Sequence, residues 1–155
     1  MNNTVDTYFF LGIGGIGMSA LAKYFALKGF CVLGYDLNES DITKSLESLG
    51  IRVFYEDNSA LLPKEFNSPS VTKVIYTPAV PQSSDWFSYF KTNDFTMVKR
   101  AVLLGETTEL SFCYAVAGTH GKTTTSAMLA YLLDASGVNI TAFLGGIAHN
   151  FGSNL

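Results

Sequence analysis

Charged residues are scarce in this chain, and no cluster of basic residues is larger than a pair. Only 15% of the 155 residues are Asp, Glu, Lys or Arg, whereas 48% are hydrophobic, and the formal net charge is −3. A disordered chain would be polar and highly charged, so the composition predicts a folded protein with a sizeable core. The largest basic cluster is the pair Lys99-Arg100, which argues against nucleic acid as a partner. An anionic ligand must therefore bind to backbone N–H groups and a few placed side chains.

Cysteine is rare, and no long uninterrupted apolar run is present. Cys31 and Cys113 lie in apolar stretches that resemble strands, so we expect small buried residues rather than a disulfide framework. The apolar run 8–22 is interrupted by four glycines and follows Asp6 rather than a basic residue. It does not resemble a signal peptide and is too short to cross a bilayer. The sequence thus predicts a cytoplasmic protein without a membrane partner.

Strand-like and helix-like segments alternate along the chain. Short apolar runs predict strands, and apolar residues at helical spacing predict the helices between them. This alternation is typical of an α/β fold with a Rossmann-like parallel sheet, helices on both faces and ligands bound at the carboxyl ends of the strands. The predicted strands are 8–11, 31–35, 51–54, 71–76, 95–98, 112–117 and 140–143, and the predicted helices are 16–26, 42–49, 84–91, 101–110 and 123–135.

A glycine-rich loop follows the first predicted strand. Gly12, Gly14 and Gly17 form the pattern G-x-G-x-x-G, which allows a tight turn, close approach of a diphosphate and close packing of the next helix. The free N–H groups and the dipole at the start of that helix favour an anion. Asp36 lies about 20 residues beyond Gly17, as expected for an acid that binds a ribose hydroxyl. The pattern alone suggests NAD; a plain tight turn and a capping role for Asp36 are the structural alternatives.

A second glycine loop lies between the sixth predicted strand and the last predicted helix. Gly121-Lys122-Thr123 matches the end of a P-loop, in which Lys122 reaches the β- and γ-phosphates and the Thr123 hydroxyl ligates Mg²⁺. The generic pattern has a glycine where this chain has Val116, so the match is partial. His120 either shapes the loop or contacts the nucleotide. A small P-loop kinase would carry this loop after its first strand, so the order of the elements disfavours that class.

Two such loops about a hundred residues apart are an unusual pair. Residues 12–19 read GIGGIGMS and residues 117–125 read AGTHGKTTT. Together they resemble the Mur ligases of peptidoglycan synthesis, and the resemblance extends from Tyr8 to about Leu155. The family form of the second loop accounts for the departure at Val116. The form of the first loop favours the alanine-adding branch of the family over the murein-peptide ligases.

The resemblance implies a UDP-sugar-binding domain, residues 1–109, followed by the first strand, P-loop, helix and strand of a truncated ATPase domain, residues 110–155. It implies ATP and Mg²⁺ as cofactors and UDP-N-acetylmuramate and L-alanine as substrates, with the amino acid bound by a domain that this chain lacks. The implied reaction is ATP-driven amide formation through an acyl phosphate. A chain of this length is expected to bind the UDP-sugar without turnover. A murein-peptide ligase fragment and a stand-alone NAD(H)-binding module are the alternatives.

The resemblance also implies roles for individual residues. Lys122 and Thr123 are the catalytic candidates, and Thr123 is the magnesium ligand. Asp57 has no implied role, although relatives often carry a histidine near it, and Lys99-Arg100 is either solvated surface or a contact with phosphate or with the other domain. The implied ATP-binding residues are Gly118, Thr119, His120, Gly121, Lys122, Thr123 and Thr124. The implied UDP-sugar-binding residues are Gly12, Gly14, Gly15, Ile16, Gly17, Asp36, Thr77, Pro78 and Ala79.

Overall fold

Five parallel strands and five helices make up the regular structure of the chain, in a computed structural model that describes residues 6–109 and 111–155. Two single-turn 3-10 helices, Ser59–Leu61 and Lys64–Phe66, precede the fourth strand. The strands are β1 (Thr7–Leu11), β2 (Cys31–Tyr35), β3 (Arg52–Phe54), β4 (Thr72–Tyr76) and β5 (Thr96–Lys99), and the helices are α1 (Ile16–Leu27), α2 (Asp41–Ser48), α3 (Asp85–Thr92), α4 (Arg100–Thr108) and α5 (Lys122–Ala135).

The sheet has the strand order β3-β2-β1-β4-β5. Leu11 at the end of β1 is in register with Tyr35 on one side and with Tyr76 on the other, so β1, β2 and β4 end at the same level. The order reverses between β1 and β4, which is the switch point where open α/β sheets bind their ligands. The predicted Rossmann-like parallel sheet is confirmed, and its five strands lie within one residue of the predicted bounds.

Both faces of the sheet are buried, and the central strand β1 supplies large apolar side chains to each. Phe10 faces one core, which it shares with Leu21 of α1, Leu46 of α2 and Leu103 of α4. Phe9 alternates to the opposite core, which is dominated by aromatic residues. Helices therefore cover both faces, as the sequence predicted. The members of the second core are Phe9, Leu11, Leu33, Tyr35, Phe54, Leu62, Val74, Trp86, Phe87, Phe90 and Phe95.

Two predicted strands are wrong. Residues 112–117 and 140–143 are irregular in the structure, although both are apolar enough to form strands. A strand needs a neighbour for its backbone hydrogen bonds, and within the described residues neither segment pairs with another. Phe112 and Tyr114 are consequently 84% and 62% exposed.

The prediction that both cysteines are buried is also wrong. Cys31 is the exposed first residue of β2, and Cys113 is exposed in the irregular segment before the second glycine loop. Apolar neighbours in the sequence did not predict burial at either position. Cys31 lies at the first position of its strand, and Cys113 lies in a segment that pairs with no strand among the described residues.

The predicted last helix is confirmed as α5, which begins directly after the second glycine loop. Ala130 is its only buried residue, whereas Met128, Tyr131 and Leu132 are exposed. None of the helices in residues 6–109 and 111–155 has the length and apolar character that crossing a membrane requires.

Gly34 in β2 provides a test of how closely the first two strands approach each other. A Cβ atom at this position would lie 2.5 Å from Ile13 Cδ1 and 2.8 Å from the Phe10 carbonyl oxygen. Because the latter belongs to the backbone of the central strand, we expect Gly34→Ala to lower the free energy of unfolding by about 2 kcal/mol, measured by urea denaturation. A Cβ atom on Gly105 in α4 would instead point into open space, so Gly105→Ala should stabilise by about 0.5–1 kcal/mol. Equal effects of the two changes would contradict the close contact at Gly34.

Candidate functional site

A cleft of about 560 Å³ opens at the carboxyl ends of β1, β2 and β4. Its position is the switch point of the sheet, and its volume is within the range of small-molecule sites. Among the predicted UDP-sugar-binding residues, Gly14, Ile16 and Pro78 lie near the cleft, in the loops after β1 and β4 or at the start of α1, but do not line it. Those that do line it are Gly12, Gly15, Gly17, Asp36, Thr77 and Ala79.

The first glycine loop turns sharply from β1 into α1. Gly12 has a φ of +83°, in the region that favours glycine, and its N–H donates to the Tyr35 carbonyl oxygen at 2.8 Å. A Cβ atom on Gly12 would lie 3.1 Å from both Thr77 Cγ2 and Val80 Cγ2, so the absence of a side chain lets the loops after β1 and β4 meet. Together these loops form the two walls of the cleft.

The first two N–H groups of α1 are unoccupied. Those of Ile16 and Gly17 have no hydrogen-bond acceptor in the described part of the chain, whereas the Met18 and Ser19 N–H groups donate to the Gly15 carbonyl oxygen. Free N–H groups and the positive end of the helix dipole together attract an anion. Gly17 lines the cleft, so this donor lies beside the space that a ligand would occupy.

Arg100, the first residue of α4, lies against this end of α1. A Cβ atom on Gly17 would be 2.8 Å from Arg100 Nη1, and Arg100 lines the cleft. The ion pairs among the described residues are Lys44–Glu39 and Lys73–Glu106, so Arg100 has no carboxylate partner there. A cation beside helix N-termini is disfavoured by their dipoles, and an anion bound between them would relieve that repulsion. Arg100 is therefore part of the cleft wall rather than plain solvated surface, and its contact with phosphate stays a prediction.

Asp36 holds the glycine loop in place. Its Oδ2 accepts a hydrogen bond from the Gly14 N–H at 2.8 Å, and its Oδ1 accepts one from the Asn38 N–H at 3.2 Å. A Cβ atom on Gly14 would be 2.9 Å from Asp36 Oδ2, so this contact requires glycine. The carboxylate is thus an anchor for the loop as well as part of the cleft wall, and its role toward a ribose stays a prediction.

Asp57 lies in the cleft wall, although the sequence indicated no role for it. Its two carboxylate oxygens accept hydrogen bonds from the Asp85 and Trp86 N–H groups at 3.1 and 3.2 Å, so it caps the start of α3. Burial, together with the nearby charges of Asp57 and Asp36, raises the pKa of Tyr35, whose side chain also lines the cleft. The position of Asp57 just after β3 was the available signal, because the carboxyl ends of parallel strands share one edge.

The remaining lining residues are Met18, Leu37, Val80, Pro81, Ser83 and Ser84. They come from the first turn of α1, the segment after β2 and the loop between β4 and α3. Met18 belongs to the motif of the first glycine loop, and Val80 and Pro81 belong to the loop 77–81 that the resemblance places beside the uridine; no motif points to the other three.

The second glycine loop is folded around its lysine. Lys122 Nζ donates to the Gly118 carbonyl oxygen at 2.6 Å and to the Thr119 carbonyl oxygen at 3.1 Å. Gly118 and Gly121 have φ values of +149° and +75°, which other residues rarely adopt. The side chain of Lys122 therefore lies over the loop, and its contact with phosphates stays a prediction. The predicted ATP-binding residues, Gly118, Thr119, His120, Gly121, Lys122, Thr123 and Thr124, are all exposed in or directly after this loop.

Thr123, the predicted magnesium ligand, follows the second glycine loop directly. It lies in the first turn of α5, and its hydroxyl oxygen would be 2.9 Å from a Cβ atom on Gly145. Within the described residues no group of three or more His, Cys, Asp or Glu side chains could hold a metal. A single hydroxyl is compatible with Mg²⁺ that keeps most of its ligands from phosphates and water, and the role of Thr123 as a magnesium ligand stays a prediction.

Comparison with known proteins gives matches over almost the whole chain. A family model described as "Mur ligase family, catalytic domain" matches residues 7–111. The UDP-N-acetylmuramate–L-alanine ligase of Parabacteroides distasonis is 54% identical over 99% of this chain, and that of Christiangramia forsetii is 49% identical over 99%. The chain spans about a third of the length of these relatives.

Solved structures match in the same way. The UDP-N-acetylmuramate-alanine ligase of Thermotoga maritima has a TM-score of 0.86 at 32% identity, covering 96% of this chain and 34% of that protein. A UDP-N-acetylmuramate:L-alanyl-gamma-D-glutamyl-meso-diaminopimelate ligase from Neisseria meningitides has a TM-score of 0.86 at 29% identity, covering 97% of this chain and 46% of that protein. The similarity therefore extends beyond the Rossmann-like sheet.

Proposed function

Since the chain belongs to the Mur ligase family, we propose that it is the UDP-sugar-binding part, with the beginning of the ATPase part, of an enzyme that joins L-alanine to UDP-N-acetylmuramate. The observation that carries the proposal is the juxtaposition of the Ile16 and Gly17 N–H groups with the Arg100 guanidinium, none of which has an acceptor or carboxylate partner within residues 6–109 and 111–155. A diphosphate supplies negative charge to both kinds of group at once. The identities of about 50% to alanine-adding ligases support the choice of amino acid.

The other groups of the cleft fit the nucleoside. Tyr35, Asp36 and Asp57 offer a hydroxyl and carboxylate oxygens beside the glycine loop, and ribose and uracil both carry donors for such acceptors. The loop after β4 supplies Thr77 and apolar contacts on the opposite wall. We place UDP with its diphosphate at Gly17 and its nucleoside toward Asp36.

The reaction that this arrangement serves is amide formation in two steps. The lactyl carboxylate attacks the γ-phosphorus of ATP and ADP leaves; the amine of L-alanine then attacks the acyl carbon and phosphate leaves. Lys122 exchanges its bonds to the Gly118 and Thr119 carbonyl oxygens for phosphate oxygens and offsets their charge, which is the main protein contribution in phosphoryl transfer. Mg²⁺, held in part by the Thr123 hydroxyl, would add further charge neutralisation at the phosphates.

We divide the chain into a UDP-sugar-binding domain, 1–109, and the beginning of an ATPase domain, 110–155. The sheet and its two cores are completed by α4, which ends at Thr108. Among the described residues beyond it, only Ala130, Leu144 and Asn154 are buried. Burial thus supports the boundary.

Thermal denaturation with UDP-N-acetylmuramate, NAD⁺ or Mg-ATP at equal concentration tests the proposal. A ligand at about 100 times its Kd stabilises the fold by about 2.7 kcal/mol, or roughly 5–10 °C at this size. We expect the UDP-sugar to give the largest shift. A shift with NAD⁺ and none with the UDP-sugar would mean that the cleft is a dinucleotide site with Asp36 as the ribose ligand.

A substitution at the P-loop separates the two nucleotide sites. Lys122→Ala should leave the Kd for UDP-N-acetylmuramate within about twofold, because distant independent sites do not couple. It should weaken Mg-ATP binding about tenfold or more, since it removes a charge-assisted contact. Calorimetric titration of both ligands measures the two effects. Loss of UDP-sugar binding in this variant would argue that the P-loop, rather than the first glycine loop, holds that ligand.

A further inference from the structure

A buried polar cluster connects residues 153–154 to the first turn of α1. Asn154 is 2% exposed and Ser19 is fully buried. The Asn154 amide nitrogen donates to the Ile16 carbonyl oxygen at 2.6 Å and to Ser19 Oγ at 2.9 Å, while the Ser19 hydroxyl donates to the same carbonyl oxygen at 3.0 Å. Lys23 Nζ donates to Asn154 Oδ1 at 3.2 Å and to Ser153 Oγ at 3.5 Å. Both ends of the Asn154 amide are thus engaged, which fixes its orientation.

The carbonyl that Asn154 binds belongs to the same planar peptide group as the Gly17 N–H. In a helix the carbonyl points toward the C-terminus and the N–H toward the N-terminus. Asn154 therefore fixes the carbonyl side of this peptide group. The N–H of the same group, that of Gly17, has no acceptor among the described residues. Gly17 lines the cleft beside Arg100. A hydrogen bond to the carbonyl also polarises the peptide group and strengthens the N–H as a donor.

Asn154 is held from the side of the P-loop as well. The Leu144 N–H donates to the Asn154 carbonyl oxygen at 3.0 Å, and the Ala148 N–H donates to the Ser153 carbonyl oxygen at 2.9 Å. A Cβ atom on Gly145, next to Leu144, would lie 2.9 Å from Thr123 Oγ1 at the start of α5, so the two residues lie close together. The segment that carries Asn154 is therefore braced against the P-loop while its side chain reaches α1.

We propose that Asn154 is a positioning residue for a nucleoside diphosphate: it orients and polarises the Ile16–Gly17 peptide group, so that the Gly17 N–H binds the diphosphate. This inference rests on the proposed function of the cleft. All residues that line the cleft lie within 1–109. According to the inference, one residue of 110–155 also determines how tightly the cleft binds its ligand.

Amide NMR titrations of the chain with UDP and with uridine test the inference. We expect Asn154→Ala to weaken UDP about fivefold, the effect of one modest hydrogen bond, and to leave the Kd for uridine unchanged. The Gly17 amide resonance should shift in the unliganded variant. Asn150→Ala is the matched control, because Asn150 lies exposed in the turn of the same segment, and it should change neither Kd.

Asn154→Asp is the second variant, for use if the alanine variant does not fold. It keeps the size of the side chain and the oxygen that Lys23 binds but lacks the donor to Ile16, so it should show the same selective loss of UDP. Equal weakening of UDP and uridine would reveal a purely structural role and overturn the inference, as would unchanged binding of UDP. Failure of the unsubstituted chain to bind UDP would instead overturn the proposed function and the inference with it.

Discussion

Replacing Trp86 by alanine is expected to lower the free energy of unfolding by about 4 kcal/mol. The indole is fully buried, with ring centroids 4.8 Å from Phe9 and 5.3 Å from Phe54. Its Nε1 donates to the Glu56 carbonyl oxygen at 2.9 Å. The substitution would leave a cavity at the centre of the aromatic core and remove that hydrogen bond.

Urea denaturation followed by far-ultraviolet circular dichroism measures this effect without relying on the lost fluorophore. Phe112→Ala is the control, because Phe112 is an aromatic residue that is 84% exposed, and its free energy of unfolding should stay within about 0.5 kcal/mol. A loss at Trp86 no larger than that at Phe112 would contradict the two-core description of the sheet.

Arg100→Ala should weaken binding of UDP-N-acetylmuramate about 30-fold, the effect of losing a charge-assisted contact with phosphate. The guanidinium adjoins Gly17 and has no carboxylate partner in the described residues, so its charge is available to the ligand. Calorimetric titration gives the affinity. The affinity of Arg100→Lys should lie between those of the unsubstituted chain and Arg100→Ala, because an ammonium keeps the charge but loses the planar fork of donors.

Lys99→Ala is the matched control for Arg100. Lys99 precedes it in the chain but is exposed and does not line the cleft, so its removal should change the affinity less than about twofold. Equal weakening by the two alanine variants would show that Arg100 acts only through the general field of the protein and not through a contact.

The first glycine loop could be located from the sequence because its signal is local. Gly12, Gly14 and Gly17 follow a segment with the apolar pattern of a strand and precede one with the apolar pattern of a helix. The structure confirms that this loop leads from β1 into α1. The contact of Arg100 with Gly17 was not predictable in the same way. It joins residues that are distant in the chain and depends on β4 and β5 being neighbours in the sheet.

The same difference between local and long-range information explains the wrong strand predictions. Residues 112–117 and 140–143 have the apolar character of strands, but hydrophobicity does not report whether a pairing partner exists, and none does in the described residues. Asn154 carried no motif at all. Its importance arises from a tertiary contact with Ile16, which only the folded chain brings together.

The most direct measurement of the proposed diphosphate site is a crystal structure of this chain with UDP-N-acetylmuramate bound. We predict diphosphate oxygens within hydrogen-bond distance of the Ile16 and Gly17 N–H groups and of the Arg100 guanidinium, with the uridine toward Asp36. A diphosphate bound instead over Gly121 and Lys122, with the first glycine loop empty, would contradict that assignment.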